Sequence, residues 1–240
     1  MPAGNPDLHI ASANPIVRFN VGDRQIETAK TVTLPPVFVD RCRQAFHSIR
    51  FDGDSRVLGV TSARRGDGKT SIAIGLATAI ASDTGEPTIL VECDLERACF
   101  ARIFEIAASP GLAEWVDGEQ PLHGALMSPT DNSYVVAGGG AVEDSTRVLY
   151  KMSQSMLVDA LQAHFKNVIL DLPPMLTASY GQLGAKLAGR ILLVARHGVT
   201  SMPDLEEAVE VAGVERIAGL VLNACSAKRP GRLRRVGAPG

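Results

Sequence analysis

Short, almost uninterrupted apolar runs recur along this chain and alternate with segments of helical periodicity. The apolar runs cover residues 57–60, 88–91, 168–170, 190–195 and 217–222. Runs of this length, rich in Val, Ile and Leu, are typical of parallel strands covered on both faces. The helical segments begin near Ser71, cover residues 145–165, and run from Pro203 to about Val211. The alternation predicts an α/β fold, a mostly parallel sheet with helices on both faces.

The first apolar run leads into a glycine-containing turn and a helix start, TSARRGDGKTS. A strand, a glycine turn and a helix N-terminus together form a phosphate-binding loop, because the first backbone N–H groups of the helix lack partners. The predicted nucleotide-binding residues are Arg65, Gly66, Asp67, Gly68, Lys69, Thr70 and Ser71. Lys69 would contact the β- and γ-phosphates and Thr70 would hold Mg²⁺. The alternative is an ordinary turn with a solvated lysine, and Ala63 stands where the pattern usually has glycine.

Two further apolar runs end in acidic residues. Residues 88–91 precede Glu92 and Asp94, and residues 168–170 precede Asp171. Ligands of open α/β sheets bind at the carboxyl ends of strands. Magnesium in nucleotide sites takes one or two carboxylates together with phosphate oxygens. We therefore predict a Mg²⁺ site at Thr70, Asp94 and Asp171, the alternative being that both aspartates only cap the following turns.

Composition narrows the classes of function. The net charge of −2 gives no reason to expect a nucleic-acid partner, and no apolar stretch reaches membrane-spanning length. The four cysteines lack metal-ligand spacing, and the N-terminus lacks the order of a signal peptide. We expect a cytoplasmic protein with one nucleotide-binding domain over residues 37–226. Residues 1–36 form an N-terminal extension, packed along the domain or disordered, and residues 227–240 a basic tail.

In their order and spacing, these motifs resemble the bacterial tyrosine kinases of polysaccharide synthesis, relatives of the ParA and MinD ATPases within the P-loop fold. The resemblance rests on TSARRGDGKTSIAIGLA, ILVECDLER, NVILDLPPML, ILLVARHGVT and GLVLNACS. It implies a P-loop NTPase fold with ATP or ADP and Mg²⁺ as ligands. It also implies catalytic roles for Lys69, Glu92, Asp94 and Asp171. Asn223, at the end of the last strand, would hydrogen-bond the adenine, a turn-forming asparagine being the alternative.

The chain departs from the family pattern where tyrosine phosphorylation is concerned. Glu92 replaces the aspartate that the family is proposed to use in deprotonating the substrate tyrosine. The C-terminal tyrosine cluster of the family is absent, and the three tyrosines of the chain are Tyr134, Tyr150 and Tyr180. All three lie within the predicted domain, so autophosphorylation of the tail is not expected.

Three functions stay open. The first is a Mg²⁺–ATP-binding, tyrosine-kinase-like protein that regulates exopolysaccharide or capsule synthesis and export. The second is an ATPase switch of the ParA/MinD type without tyrosine kinase activity, and the third is a non-catalytic nucleotide-binding adaptor. The resemblance also implies a membrane-anchored polysaccharide co-polymerase or activator as partner, which would recruit the protein to the inner face of the membrane. The resemblance leaves open whether the protein forms a homo-oligomer.

Overall fold

The computed structural model describes residues 19–20, 28–51, 56–118, 122–127, 132–177 and 180–225. The strands are β1 (Phe19–Asn20), β2 (Thr28–Ala29), β3 (Arg56–Ser62), β4 (Thr88–Glu92), β5 (Leu122–His123), β6 (Ala125–Met127), β7 (Ser133–Val136), β8 (Asn167–Asp171), β9 (Arg190–Arg196) and β10 (Ile217–Asn223). The helices are α1 (Pro36–Ser48), α2 (Lys69–Thr84), α3 (Phe100–Phe104), α4 (Leu112–Val116), α5 (Ser145–Gln154), α6 (Leu157–Gln162), α7 (Gly181–Lys186) and α8 (Met202–Ala212).

Eight of these strands form one twisted sheet in the order β10–β9–β3–β8–β4–β7–β6–β2. Six neighbouring strands, from β10 to β7, are parallel, and β6 runs antiparallel to β7. The mostly parallel α/β sheet predicted from the sequence is thereby confirmed. Asp171 on β8 lies beside Val60 on β3 and beside Glu92 on β4. The register therefore places the carboxyl ends of β3, β4 and β8 side by side.

Apolar side chains fill both faces of the sheet. On one face, α1, α2 and α3 pack against the strands, and on the other face α5, α6, α7 and α8 do so. Helix α2 is buried on almost every side because it is built of small and aliphatic residues. At Gly75 a Cβ atom would lie 2.6 Å from both Cys42 Sγ and Phe38 Cε1, so only glycine lets α1 approach this closely. The tight packing of α2 holds the phosphate loop at its N-terminus in place.

The prediction of a single helix over residues 145–165 is wrong in one respect, because the segment folds as two helices, α5 and α6. Ser155 between them is extended, with φ −87° and ψ 165°. Its hydroxyl donates to the carbonyl oxygen of Met152 at 2.8 Å and accepts from the Leu157 N–H at 3.3 Å. A serine hydroxyl that competes for backbone partners in this way ends one helix and starts the next. Met156, expected on the buried stripe, is consequently exposed.

Part of the predicted N-terminal extension belongs to the sheet. Thr28 and Ala29 form strand β2 beside β6, and the Lys30 N–H donates to the Phe104 carbonyl oxygen at 2.7 Å. Residues 1–18 and 21–27 lie outside the described residues, as does the predicted tail from 227 to 240. The predicted domain boundaries stay predictions.

Candidate nucleotide-binding site

The predicted phosphate loop joins the end of β3 to the start of α2. Gly66 and Gly68 both have φ of +93°, a left-handed conformation that side chains with a Cβ rarely adopt. At Gly68 a Cβ would also clash with the side-chain amide of Asn223. No side chain caps the N-terminus of α2, so its first N–H groups are left open toward the loop. Such a helix start favours an anion through its free donors and its dipole.

One lysine and two aspartates meet just inside this loop. The Lys69 ammonium lies 2.7 Å from Asp94 Oδ2 and 3.4 Å from Asp171 Oδ1. The Thr70 hydroxyl donates to Asp171 Oδ2 at 2.8 Å. Lys69, Asp94 and Asp171 are all buried. The structure thus brings together four site residues that were predicted from three separate stretches of sequence.

Burial and mutual attraction set the charges of this cluster. Burial raises the pKa of Asp171 to about 6, although the Lys69 charge and the Thr70 hydrogen bond oppose the rise. Burial alone would lower the pKa of Lys69, but the carboxylates of Asp171 and Asp94 outweigh it and the pKa is raised. Lys69 is therefore a cation at neutral pH. The cluster carries more negative than positive charge in a region that excludes water, which favours an added cation.

The oxygen donors of the cluster fit a magnesium ion. Asp94 Oδ1 is buried and has no hydrogen-bond partner. A buried polar atom without a partner is rare and calls for an explanation such as an ion. Thr70, Asp94 and Asp171 offer a hydroxyl and two carboxylates, the hard oxygen ligands that Mg²⁺ takes alongside phosphate oxygens.

Three side chains from the ends of β9 and β10 hold the turn of the phosphate loop. The Arg196 guanidinium donates to the Gly66 carbonyl oxygen at 3.1 Å, and the Asn223 amide donates to the Asp67 carbonyl oxygen at 2.8 Å. The Thr200 hydroxyl donates to Asp67 Oδ1 at 2.9 Å. Sequence reasoning did not identify Thr200, since only the register of β9 beside β3 brings it to the loop. Asn223, predicted to contact adenine, here supports the loop itself.

The two arginines of the loop are paired with carboxylates. Arg64 makes a bidentate pair with Asp204 on α8, at 2.8 and 2.9 Å. Arg65, predicted to bind the nucleotide, forms a hydrogen-bonded ion pair with Glu96, which follows β4. Arg65 therefore bridges the phosphate loop and the segment that carries Asp94. Both pairs are partly exposed, so solvent screening limits their strength.

Glu92, predicted to be catalytic, has different bonding partners from Asp94. Its side chain is buried, and one carboxylate oxygen accepts from the backbone N–H groups of Cys99 and Phe100. The other oxygen accepts from the Gly138 N–H at 2.9 Å. The catalytic role of Glu92 stays a prediction.

The three tyrosines differ in accessibility. Tyr180 is fully buried, and its hydroxyl oxygen accepts from the Glu96 N–H at 3.3 Å. Tyr134 lies on β7 and stacks edge-on with Phe165. Tyr150 is 57% exposed but belongs to helix α5. None of the three tyrosines lies in an extended, exposed segment that a kinase site could enclose.

An apolar groove of about 620 Å³ opens beside Asn223. It lies between α1, the start of α2 and the end of β10, and its lining includes Phe38, Cys42, Ile72 and Val221. A flat, weakly polar ring that extends from the phosphate loop would find apolar contacts there.

Every helix that the structure describes is too short or too polar to cross a bilayer.

Two classes of known protein share this architecture. The fold is that of P-loop NTPases: the chain superposes on the cell-division ATPase MinD from Pyrococcus furiosus with a TM-score of 0.59 and 20% identity, over 70% of this chain and 71% of MinD. It superposes on the kinase domain of VpsO with a TM-score of 0.68 and 25% identity, over 79% of this chain and 97% of that domain. The predicted ParA/MinD-like fold is confirmed.

Among curated proteins, the chain is similar to bacterial tyrosine-protein kinases, as the sequence motifs indicated. It is 26% identical to the tyrosine-protein kinase Etk of Escherichia coli K12 over 185 residues, which are 75% of this chain and 25% of Etk. It is 26% identical to the tyrosine-protein kinase CpsD of Streptococcus pneumoniae serotype 4, over 67% of this chain and 72% of CpsD. The chain thus spans about a quarter of the length of Etk. No protein-family model matches the chain.

Proposed function

We propose that this protein binds Mg²⁺–ATP at residues 65–71 and is a tyrosine-kinase-like regulator of exopolysaccharide or capsule synthesis and export. The observation that carries the proposal is the cluster of Thr70 with the buried Lys69, Asp94 and Asp171 at the carboxyl ends of β3, β4 and β8. This cluster provides a cation for phosphate and oxygen ligands for magnesium in one place. The similarity to Etk and CpsD supports the kinase class.

In the proposed complex, Lys69 leaves its two carboxylates and donates to the β- and γ-phosphates. Thr70, Asp94 and Asp171 would hold Mg²⁺, whose charge would offset that of the phosphates. Gly66 to Ser71 offer backbone N–H groups, and Arg65 is free to reach phosphate once it releases Glu96. Asn223 and the apolar groove beside it would receive the adenine. ADP would bind through the same contacts apart from those to the γ-phosphate.

Phosphoryl transfer needs little covalent chemistry from the protein, so catalysis would rest on position and charge. Lys69 would stabilise the negative charge of the transferred group, Asp94 and Asp171 would act by holding the Mg²⁺ that offsets the same charge, and Glu92 is the remaining predicted catalytic carboxylate. A membrane-anchored polysaccharide co-polymerase or activator would be the partner, with the protein acting in the cytoplasm at the inner face of the membrane. A homo-oligomer is compatible with this arrangement.

The positions of the three tyrosines favour a second function, an ATPase switch of the MinD type. Because Tyr134, Tyr150 and Tyr180 lie in a strand, a helix and the core, the chain offers no accessible extended acceptor among its described residues. Water would then be the acceptor of the γ-phosphoryl group. A non-catalytic adaptor would bind nucleotide without turnover.

Incubation of the full chain with radiolabelled Mg²⁺–ATP, with and without a glutamate–tyrosine copolymer, separates these functions. Labelled tyrosine supports the kinase, free phosphate alone supports the ATPase switch, and binding without turnover supports the adaptor. The Lys69→Met variant controls for contaminating activity. Absence of nucleotide binding by the parent protein would overturn the proposal.

A further inference from the structure

The carboxylate of Glu92 accepts hydrogen bonds from backbone groups further along the chain, and so closes a loop that begins at Glu92 itself. The chain leaves β4 at Glu92, passes through Asp94 and a single 3₁₀ turn at Leu95–Arg97, and returns at the start of α3. There, the N–H groups of Cys99 and Phe100 donate to Glu92 Oε1, the second at 2.9 Å. Residues 92–100 thus form a closed loop that carries Asp94 at its turn.

The second oxygen of Glu92 ties this loop to the glycine segment after β7. Gly138 N–H donates to Glu92 Oε2 at 2.9 Å, and a Cβ on Gly138 would lie only 3.0 Å from Leu95 Cδ2. From the other side, Glu114 accepts from the N–H groups of Gly111 and Gly140, at 2.8 and 2.9 Å. The segment 138–140 is therefore held between two carboxylates and packs directly on the Asp94 loop.

These bonds account for the burial of Glu92. Its side chain is 1% exposed, and none of the described cations forms an ion pair with it. Three N–H donors compensate a buried carboxylate through charge-assisted hydrogen bonds. They also occupy most of its lone pairs. A general base needs a lone pair directed at the proton that it removes and within hydrogen-bond reach of it.

We infer that Glu92 is a positioning residue, which closes the 92–100 loop and fixes Gly138 so that Asp94 faces Lys69 and the magnesium position. The carbonyl oxygen of Asp171 helps from the neighbouring strand, since it accepts from the Cys93 N–H at 2.9 Å. Aspartate at position 92 would be one methylene shorter and would not span the same gap. The part of the inference that concerns magnesium rests on the proposed function, whereas the closure of the loop does not.

The test compares Glu92→Gln and Glu92→Asp with the parent, and uses Glu114→Gln as a matched carboxylate-to-amide control on the same glycine segment. Hydrogen exchange by mass spectrometry follows peptides over residues 95–104 and 136–142 in the nucleotide-free full chain. Fluorescent-ATP titration with Mg²⁺ and with EDTA gives the factor by which magnesium raises affinity. Release of phosphate is measured alongside.

In Glu92→Gln, the amide oxygen keeps the hydrogen bonds to Cys99 and Phe100, whereas the NH₂ group faces the Gly138 N–H and cannot accept from it. We therefore expect hydrogen exchange to rise about tenfold in residues 136–142 and to change little in residues 95–104. In Glu92→Asp, exchange should rise in both segments. The magnesium factor should fall about fivefold or more in both variants, with affinity in EDTA within about twofold of the parent. Glu114→Gln should alter exchange near Gly111 and Gly140 but keep the magnesium factor.

Unchanged hydrogen exchange in both Glu92 variants overturns the inference. If phosphate release is lost at the same time, Glu92 takes part in phosphoryl transfer instead. Raised exchange with an unchanged magnesium factor overturns the link to Asp94. If the parent binds no nucleotide, the proposed function fails, and hydrogen exchange still decides whether Glu92 closes the loop.

Discussion

The three central strands β3, β4 and β8 carry a polar cluster with buried members at each end, and the two clusters differ in how completely they are paired. At the amino ends, the Asn167 amide donates to Thr88 Oγ1 at 3.2 Å and Glu86 Oε2 at 3.4 Å. Arg56 donates to Asn167 Oδ1 at 3.3 Å and to Glu86 Oε2 at 3.0 Å. Thr88 in turn donates to the Glu86 carbonyl oxygen at 3.0 Å. Each buried side-chain atom of this cluster has a partner.

At the carboxyl ends the pairing is incomplete. Among the described residues, four buried side-chain polar atoms lack a partner, and two of them, Asp94 Oδ1 and Asp67 Oδ2, belong to the candidate nucleotide-binding site. Lys69 is shared between two carboxylates rather than matched to one. The comparison shows that burial of polar groups does not by itself identify a site. A fully paired cluster stabilises the fold, whereas a buried cluster with unpaired oxygens is suited to a ligand.

The largest expected effect is the loss of nucleotide binding in Lys69→Met. The ammonium is the one buried cation of the carboxyl-end cluster among the described residues, so its removal should reduce ATP affinity about 30- to 100-fold. Titration of a fluorescent ATP analogue measures this. Lys151→Met is the matched control, because that ammonium binds Asp117 at the surface. Near-parental affinity in a folded Lys69→Met protein would contradict the site.

Asp171→Asn should stabilise the nucleotide-free protein while it weakens the magnesium effect on binding. The folded pKa of Asp171 is about 6 and its ordinary value is 3.8, so ionisation favours the unfolded chain as pH rises through that interval. Removing the charge should add about 3 kcal/mol to the free energy of unfolding at pH 7.5, and only about 0.5 kcal/mol at pH 4. Urea unfolding at both pH values measures the difference. A destabilised variant at pH 7.5 would show that Asp171 is paired as fully as the amino-end residues.

Asn167→Ala should have the opposite effect at the other end of the same strands. Loss of a fully buried, fully bonded amide should cost about 1–2 kcal/mol of unfolding free energy. Nucleotide affinity should stay within about twofold of the parent, since no ligand-facing group changes. Urea unfolding and ATP titration on the same preparation test both statements. A large loss of affinity at unchanged stability would make the amino-end cluster part of the site.

The smallest effect is expected from deletion of residues 227–240. These residues contain no tyrosine, so the deletion removes no acceptor, and phosphate release should stay within about twofold of the full chain. Phosphotyrosine mapping by mass spectrometry should show little or no label in either form. Strong label on Tyr134, Tyr150 or Tyr180 would restore autophosphorylation to the proposed function.

Sequence patterns were sufficient for the features that depend on neighbours along the chain. Parallel strands buried on both faces require continuous apolar runs, and all five runs became strands. The expectation of burial is wrong for residues 217–222, because β10 lies at the edge of the sheet and leaves Leu220 and Leu222 exposed. The phosphate loop was recognisable because Gly66 and Gly68 need left-handed backbone and Lys69 follows directly at the helix start. Asp94 and Asp171 were recognisable because they stand at or just after the carboxyl ends of parallel strands, the edge of the sheet where ligands bind.

Helical periodicity was not sufficient for the segment over residues 145–165. The apolar stripe continued across Ser155, and the pattern carried no sign that its hydroxyl would take the place of a backbone partner and end α5. The choice between helix and break depended on local hydrogen bonds and on packing against the sheet. A periodic pattern records which residues are apolar, not which polar atom will compete with the backbone.

By itself, the sequence determined five of the six neighbouring parallel strands, the phosphate loop and the chemical types of the residues around it, because each of these follows from spacing within a few residues. Only the tertiary structure decided that Glu92 turns to the backbone of Cys99, Phe100 and Gly138 while Asp94, two residues later, turns to Lys69. It also decided that Thr200 and Asn223 support the loop at Asp67. The physical reason is that hydrogen-bond partners of buried groups are set by strand register and loop closure, which join residues far apart in the chain.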